Sequence, residues 1–326
     1  MKTLFLSALL ALPVWGAKTL DIYFVDVEGG QATLVVTPAG ESLLVDTGWP
    51  GFDGRDANRI ADAAKKAGVS KIDYLVITHF HPDHVGGIKQ LSDKMPIAHV
   101  VDHGDNIETG EGAARLNKLY AEVVAKSKRI TVKPGDTLPL KGLKVEIVAA
   151  NGVGTTRPGK PNPLCASVQK GPDDPTENAR SVGTLLTMGK FRLLNLGDLT
   201  WNKELELVCP DNRLGKVDVY LTTHHGADTS GVSALVHAIE PKVAIMNNGE
   251  KKGGSPMAWK TIKASPGLKD LWQLHYSAAG GSENNIDEKF VANTAGQESG
   301  NYLMVQANSN GKFTVTNSRN GLTKSY

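Results

Sequence analysis

The sequence predicts an α/β fold, a four-layer αββα sandwich of two mixed β-sheets flanked by helices, on two observations. A strand–helix–strand pattern recurs in both halves of the 326-residue chain. In each half, apolar strands rich in β-branched residues end in loops dense with histidine and aspartate. The first half carries Thr78-His79-Phe80-His81-Pro82-Asp83-His84 after residues 72–77; the second carries Leu196-Gly197-Asp198 and Thr222-Thr223-His224-His225. Placed face to face, two such halves open their polar loops on one edge.

Residues 20–27, 32–37 and 42–45 read as an opening antiparallel meander, turning at Glu28-Gly29-Gly30 and Pro38-Ala39-Gly40. Asp46-Thr47-Gly48 ends its third strand with a carboxylate. Ile60, Ala63, Ala64 and Ala67 sit at helical spacing, and Gly68 stops that helix. A helix begins over 85–91 with its amino end at the polar loop. A strand over 97–101 and an amphipathic helix over 112–128 follow. Residues 130–132, 137–140 and 143–149 read as one small β unit. From 150 to 179 periodicity gives way to Gly, Pro, Asn and Asp, the composition of a substrate-facing flap or of a disordered segment. A hairpin around Gly189-Lys190 delivers Asp198 to a strand end. Strands over 217–221, 243–246 and 271–274 then alternate with helices over 201–208, 232–239 and 257–264. Strands over 302–306 and 312–316 close the sheet, and 317–326 is a polar tail expected to be loose.

Met1-Lys2, an apolar stretch over 4–14 and the small residues Gly16 and Ala17 have the layout of a secretory signal. The expected domains are therefore a signal over 1–17, one α/β domain over 18–316 and the tail over 317–326. No later run approaches the roughly 20 apolar residues of a spanning helix. Localisation is expected to be periplasmic or secreted, with no transmembrane segment in the mature chain. Without Lys2, 35 basic residues face 34 acidic ones, so the formal charge falls from +2 to +1. That balance does not point to nucleic acid as a partner. Cys165 and Cys209 are the only cysteines. In an exported chain they permit one disulfide, with two unpaired thiols as the alternative.

Three imidazoles and a carboxylate within six residues at a strand end read as a metal site, since zinc and similar cations take such nitrogen and oxygen donors. His79 and His81 project together from extended backbone. Pro82 redirects the chain so that Asp83 and His84 face a second position about 3.5–4 Å away, the spacing of two-metal hydrolases. His99 and His237 fall within structural segments and read as packed or surface residues; His275, at a strand end, is a candidate to reach the cleft.

This HxHxDH loop resembles the signature of the metallo-β-lactamase superfamily. A closer likeness is to the extracytoplasmic hydrolase-like domain of the ComEC/Rec2 DNA-uptake proteins. It is carried by the stretches Phe24-Val25-Asp26-Val27-Glu28-Gly29-Gly30-Gln31-Ala32, Leu44-Val45-Asp46-Thr47-Gly48, Leu196-Gly197-Asp198-Leu199 and Thr223-His224-His225-Gly226. The resemblance implies the same αββα fold. It places His79 and His81 on a first metal, Asp83 and His84 on a second, Asp198 as the bridge and His225, which stands before Gly226, as the last ligand. Asp46 would support the metal loop through hydrogen bonds. The superfamily's third histidine of the first site has no counterpart; Asn178, as in the ComEC-like pattern, or His103 is the candidate. The opening motif also departs from DVGQGD, because Glu28, Gly29 and Gln31 stand where that motif has Gly, Gln and Asp.

The implied function is an exported hydrolase acting through a metal-bound hydroxide on phosphodiester bonds, with Asp83 orienting the hydroxide and His224 as a candidate donor to the leaving group. Two divalent ions are expected, zinc ahead of manganese, with single occupancy as the alternative. Small-molecule or phosphodiester substrates fit this reading. A β-lactam or lactone hydrolase and a metal-binding or interaction protein without catalysis are the other readings. Lys251-Lys252-Gly253-Gly254 reads as a solvated turn, with phosphate contact as its alternative.

Overall fold

In the computed structural model, residues 19–296 and 300–326 are described; the signal segment expected over 1–17 lies outside them. Two nine-stranded sheets pack face to face with helices on both outer surfaces. Period-two alternation builds these layers. In Leu20–Phe24, Leu20, Ile22 and Phe24 enter the core between the sheets, whereas Tyr23 faces the outer helices. Leu43 and Val45 point inward and Leu44 outward in the same way. Opposite them, Val145, Ile147, Leu186, Leu193, Val219, Ile245 and Trp272 complete the central layer.

The first sheet begins as the predicted meander, Leu20–Phe24, Thr33–Val36 and Ser42–Val45. It then becomes parallel through Ile72–Val76, Ile97–Asp102 and Lys128–Thr131. Ile60, Ala63 and Ala64 of helix Arg55–Lys66 cover its outer face with Leu91 and Leu116. In the second sheet the Gly183–Met188 and Phe191–Asn195 hairpin leads into parallel Val219–Leu221, Val243–Met246 and Asp270–His275. Helices Trp201–Val208, Ser233–Ile239 and Pro256–Lys263 close that side. Among the described residues no helix is long and apolar enough to cross a membrane.

Four expectations change. Lys128–Thr131 is not part of a β unit with Thr137–Leu140 and Leu143–Ala150; it pairs with Ile97–Asp102 in the first sheet, and the other two strands belong to the second. The helix after the polar loop is broken into Pro82–Val85 and Ile88–Ser92, because Gly87 N–H bonds Gly48 O at 3.1 Å and draws the chain off the helical path. The tail is docked: Thr323–Ser325 pairs with Phe313–Asn317, and the Tyr326 hydroxyl donates to Asp270 at 2.7 Å.

The fourth concerns residues 150–179, which do not form one flap. Their first part is held away from the polar loops: Arg157 reaches Glu146 and the carbonyls of Arg213 and Leu214, and Asn162 donates to Val208 O and Ala234 O. A Cys165–Cys209 disulfide fastens it to the end of helix Trp201–Val208. The later part returns toward the polar edge, where the Asn202 amide donates to Gly171 O.

The disulfide closes a loop 44 residues long in sequence separation, which on the chain-entropy model corresponds to about 4 kcal/mol. Replacing both cysteines by serine is expected to lower the unfolding free energy by up to that amount and to raise the urea m-value, because the freed denatured chain expands; an unchanged unfolding free energy would show that the cross-link contributes no stability.

Candidate metal centre

The site is built at the carboxyl ends of the parallel strands, where the chain leaves Ser42–Val45 and Ile72–Val76 side by side. Asp46 adopts φ 63°, a conformation aspartate tolerates better than most residues, and from it the fully buried carboxylate reaches back across the neighbouring loop. Its Oδ1 accepts the Thr78 N–H at 2.8 Å, and its Oδ2 accepts the Thr78 hydroxyl at 2.7 Å and faces His84 Nδ1 at 2.8 Å. The Thr47 N–H adds a bond to His84 O at 2.7 Å. His79 and His81 leave an extended segment on one side while Phe80 is buried on the other, edge-on to Tyr120 and His103. Pro82 opens a one-turn helix that carries Asp83 and His84.

Donors from the second half meet this loop. Asp198 Oδ2 lies 3.2 Å from His84 Nε2, 3.3 Å from His225 Nε2, 3.4 Å from His224 Nε2 and 4.0 Å from His79 Nε2. Asp83 Oδ2 lies 3.1 Å from His84 Nε2 and 3.3 Å from His225 Nε2. One donor atom from each of Asp83, His84, Asp198 and His225 therefore falls within 4.8 Å of every other, all from buried residues. His79 Nε2 and His81 Nδ1 face each other 3.0 Å apart beside them. Asp198 Oδ1 is buried with no partner among the described residues, so the carboxylate keeps an acceptor for a second neighbour.

Charge in this cluster is finely opposed. Burial alone would raise the Asp198 carboxyl, but the imidazoles of His225, His84 and His224 hold it well below the ordinary range. Burial is likewise overridden at Asp83, by His84, His225 and Lys252. Burial would depress His84, yet Asp198, Asp83 and Asp46 keep its pKa well above that of a free imidazole. Burial and the neighbouring His84 charge push His79 well below. A proton on His84 thus balances carboxylates that a divalent cation would balance better, and binding such a cation would expel it. The donor set of imidazole nitrogen and carboxylate oxygen fits a divalent metal.

Of the remaining expected residues, His103 does not join the cluster. Its Nε2 faces Glu177 Oε2 at 2.8 Å, and the same carboxylate accepts the Phe80 and Ile107 N–H groups at 3.0 and 2.8 Å, so the pair steadies the back of the metal loop. Asn178 stands on the same turn as Glu177, and its Oδ1 is buried without a partner. His224 Nδ1 is held by Thr229 and Ser230 at 3.1 and 3.3 Å. His99 bonds Asp73 O and stacks on Tyr74, and His237 bonds Thr261 O, both as packed residues. His275 stays outside the cluster, against Asp26 at 2.5 Å and Glu28 at 3.5 Å. Those three residues form a second close group of donors, but Arg59 Nη1 already bonds Asp26 at 2.8 Å and Glu28 at 3.0 Å, which fills the cationic position.

Several supporting residues escape sequence reasoning. Asn247 sets its amide nitrogen 3.1 Å from His225 Nδ1, and its Oδ1 is buried without a partner among the described residues; turning the amide over would let that oxygen accept the Nδ1 proton and leave Nε2 free for a metal. Lys252, read from the sequence within a solvated turn with phosphate contact as the alternative, sets its ammonium against Asp83 Oδ2. Gly30 lies against the metal loop, where a Cβ would stand 2.5 Å from Asp83 O, and Gly253, at φ 72°, lies against His225, where a Cβ would stand 2.2 Å from its carbonyl. Only the glycine doublets in the sequence hinted at these approaches.

Residues 25–159 match the family model described as the metallo-beta-lactamase superfamily. The chain is similar to "Recombination protein 2" of Haemophilus influenzae, 27% identical over 76% of this chain and 26% of the relative. It is also similar to "ComE operon protein 3" of Bacillus subtilis, 24% identical over 71% of this chain and 28% of the relative. The chain thus spans about a quarter of the length of these curated relatives. Among solved structures, the metallo-beta-lactamase fold protein YhfI from Bacillus subtilis aligns over 78% of this chain and 96% of its own, with a TM-score of 0.46 and 13% identity.

Two outcomes follow from the supporting shell. Asp46→Ala releases Thr78 and the His84 ring together and should weaken metal binding about 10- to 100-fold, read by chelator competition; an unchanged affinity would remove Asp46 from the site's support. Glu204, buried beneath the His224-His225 loop, accepts the Gly231 and Val232 N–H groups at 3.0 and 2.9 Å. Burial raises its carboxyl from 4.5 to about 7, against the opposing pull of those donors and Thr223. A raised acid favours the fold while protonated, so its contribution is complete below pH 4.5 and is lost as pH climbs through about 7. Glu204→Gln should remove about 3 kcal/mol of the stability loss between pH 4 and pH 8, measured by denaturant titration at each pH.

Proposed function

We propose that this chain, which belongs to the metallo-β-lactamase superfamily and within it to the ComEC/Rec2-like group, is an exported metal-dependent hydrolase that acts on phosphodiester bonds. The observation that carries this reading is the meeting of Asp83 and His84 from one half of the chain with Asp198 and His225 from the other, four buried donors around one point. Asp83, His84 and His225 would hold one metal. His79 Nε2, His81 Nδ1 and Asn178 Oδ1, which has no partner among the described residues, would hold the other, with Asp198 shared between the two positions. Zinc suits these donors best; manganese is the alternative.

Divalent ions bound there would supply a water acidified toward neutral pH and a Lewis acid for developing negative charge. The protein's own groups do the rest. Asp83 would orient the attacking water with its free oxygen. His224, 19% exposed in its side chain and with Nδ1 fixed by Thr229 and Ser230, would relay a proton from solvent water to the leaving oxygen through Nε2, since burial lowers its pKa and it does not hold a spare proton of its own. The phosphodiester assignment draws on the ComEC/Rec2 likeness. The Cys165–Cys209 disulfide supports export, since such bonds persist in oxidising compartments.

One observation favours a second reading, a metal-binding protein without turnover: with His103 taken by Glu177, the first metal position has only two imidazoles. A single assay series separates the two. The purified protein, with bound metal counted, should hydrolyse bis-p-nitrophenyl phosphate; a chelator should abolish turnover, and His81→Ala and Asp198→Ala should each cut it by about 100-fold or more. Stoichiometric metal with no turnover on phosphodiester, lactone and β-lactam substrates would establish the binding reading instead. Turnover confined to a lactone or β-lactam would keep the hydrolase and reassign its substrate.

A further inference from the structure

We propose that Lys252 is the anion anchor of this site, holding a negatively charged oxygen of the substrate beside the metal centre and so selecting anionic over neutral substrates. The inference rests on the hydrolase reading and deepens it.

The backbone under Lys252 is tightly placed. Gly249 N–H bonds Lys252 O at 2.9 Å, and Gly254 N–H bonds His225 O at 2.9 Å, which presses this turn onto the strand end that carries His225. On its other side, a Cβ on Gly29 would stand 3.0 Å from Lys252 Cβ, so the 28–30 loop closes against it. From this base the side chain crosses to the metal loop, contacts Asp83 Oδ2 and lies 5.0 Å from the centre of the Trp49 ring. It stays 35% exposed, so the four-carbon stem faces both the cluster and the cleft.

Electrostatics gives that position a purpose. Asp83 Oδ2 is the oxygen that His84 Nε2 and His225 Nε2 also approach, the one a cation would take. With a divalent ion held by Asp83, His84 and His225, the Lys252 ammonium would lose Oδ2 as a partner and face a like charge at close range. Trp49, whose ring face attracts a cation, offers it a resting place along the same edge. An oxyanion beside the Lys252 ammonium would offset the like charge of a metal held by these ligands. The His81 side of the site is mixed in character. There His81 Nε2 is 3.3 Å from Glu108, next to a groove of about 580 Å³ in which Pro50, Phe80, Leu116 and Leu119 are joined by Glu108 and Arg115, one charge of each sign. An anionic group thus belongs at Lys252, whose ammonium has no second cation among its contacts with the described residues, and the remainder of a substrate along the groove.

The test compares wild type with Lys252→Gln and Lys252→Arg, all loaded with metal, on bis-p-nitrophenyl phosphate and on uncharged p-nitrophenyl acetate. Lys252→Gln should lower kcat/KM for the diester about 10- to 100-fold more than for the acetate, with Lys252→Arg recovering most of the loss. Independently of turnover, calorimetric titration with inorganic phosphate should show affinity weakened about 10-fold in Lys252→Gln, while its bound metal equals or exceeds that of wild type. A selective loss on a carboxylate-bearing chromogenic β-lactam instead of the diester would support the anchor and identify its oxyanion as a carboxylate. Equal losses on charged and neutral substrates, or unchanged phosphate affinity at full metal content, would overturn it. If wild type turns over nothing, the hydrolase reading has failed, and the phosphate titration alone decides on Lys252.

Discussion

Two ionised carboxylates and three imidazoles sealed within a few ångströms of one another are the constraint on which the rest of this structure depends. Removed from water, Asp83 and Asp198 would each be strongly disfavoured as anions, and His84 as a cation; together they are tolerable because every charge faces its opposite. Such a cluster cannot relax by turning outward, because each ring is fixed from behind: His84 by Asp46, His225 by Asn247, and His224 by Thr229 and Ser230. The backbone strain at the site follows from the same demand. Asp46, His224 and His225 all hold positive φ values, an arrangement that persists only where the surroundings over-determine it.

The sandwich exists to make that convergence rigid. Asp83 and His84 come from the first sheet's edge, Asp198 and His225 from the second's, and the apolar layer between them fixes their separation. Fully buried side chains such as Phe24, Phe191 and Trp272 fill this layer, so a shift of one sheet against the other would cost packing across the whole face. Sites built on strand ends of packed sheets inherit this precision, which loops alone do not supply.

How much of this was legible in the sequence depended on whether the information was local. His79, His81, Asp83 and His84 stood out because their donors crowd six residues at the end of an apolar strand. The meander, the helix over Arg55–Lys66 and the hairpin before Asp198 were legible because alternation and turn residues encode them directly. What failed was long-range. Lys128–Thr131 follows its neighbours closely enough to suggest a hairpin, yet its partner is Ile97–Asp102, and nothing in the local pattern distinguishes the two sheets. Residues 150–179 showed no periodicity because their order comes from elsewhere, from Arg157 reaching Glu146 and from Cys165 joined to Cys209. Glu177 and His103 are 74 residues apart, and no spacing could have announced their pairing behind Phe80.

The opening motif shows how a departure from a family pattern can preserve a site. Glu28, Gly29 and Gln31 replace the residues of DVGQGD, and the structure gives each a place. Glu28 takes φ 55° and adds a second carboxylate to the one Asp26 offers Arg59 and His275, a pairing that spans 249 residues between Asp26 and His275. That network anchors the loop at one end. At the other, Gln31 N–H bonds Asp83 O at 3.0 Å, and Gly29 and Gly30 lie flat between the metal loop and the Lys252 turn. A side chain at either glycine would separate the two. The loop is therefore a spacer that holds Asp83 and Lys252 in contact across the seam between the sheets, and its altered chemistry lies behind the ligands, leaving the donors that face the cleft intact.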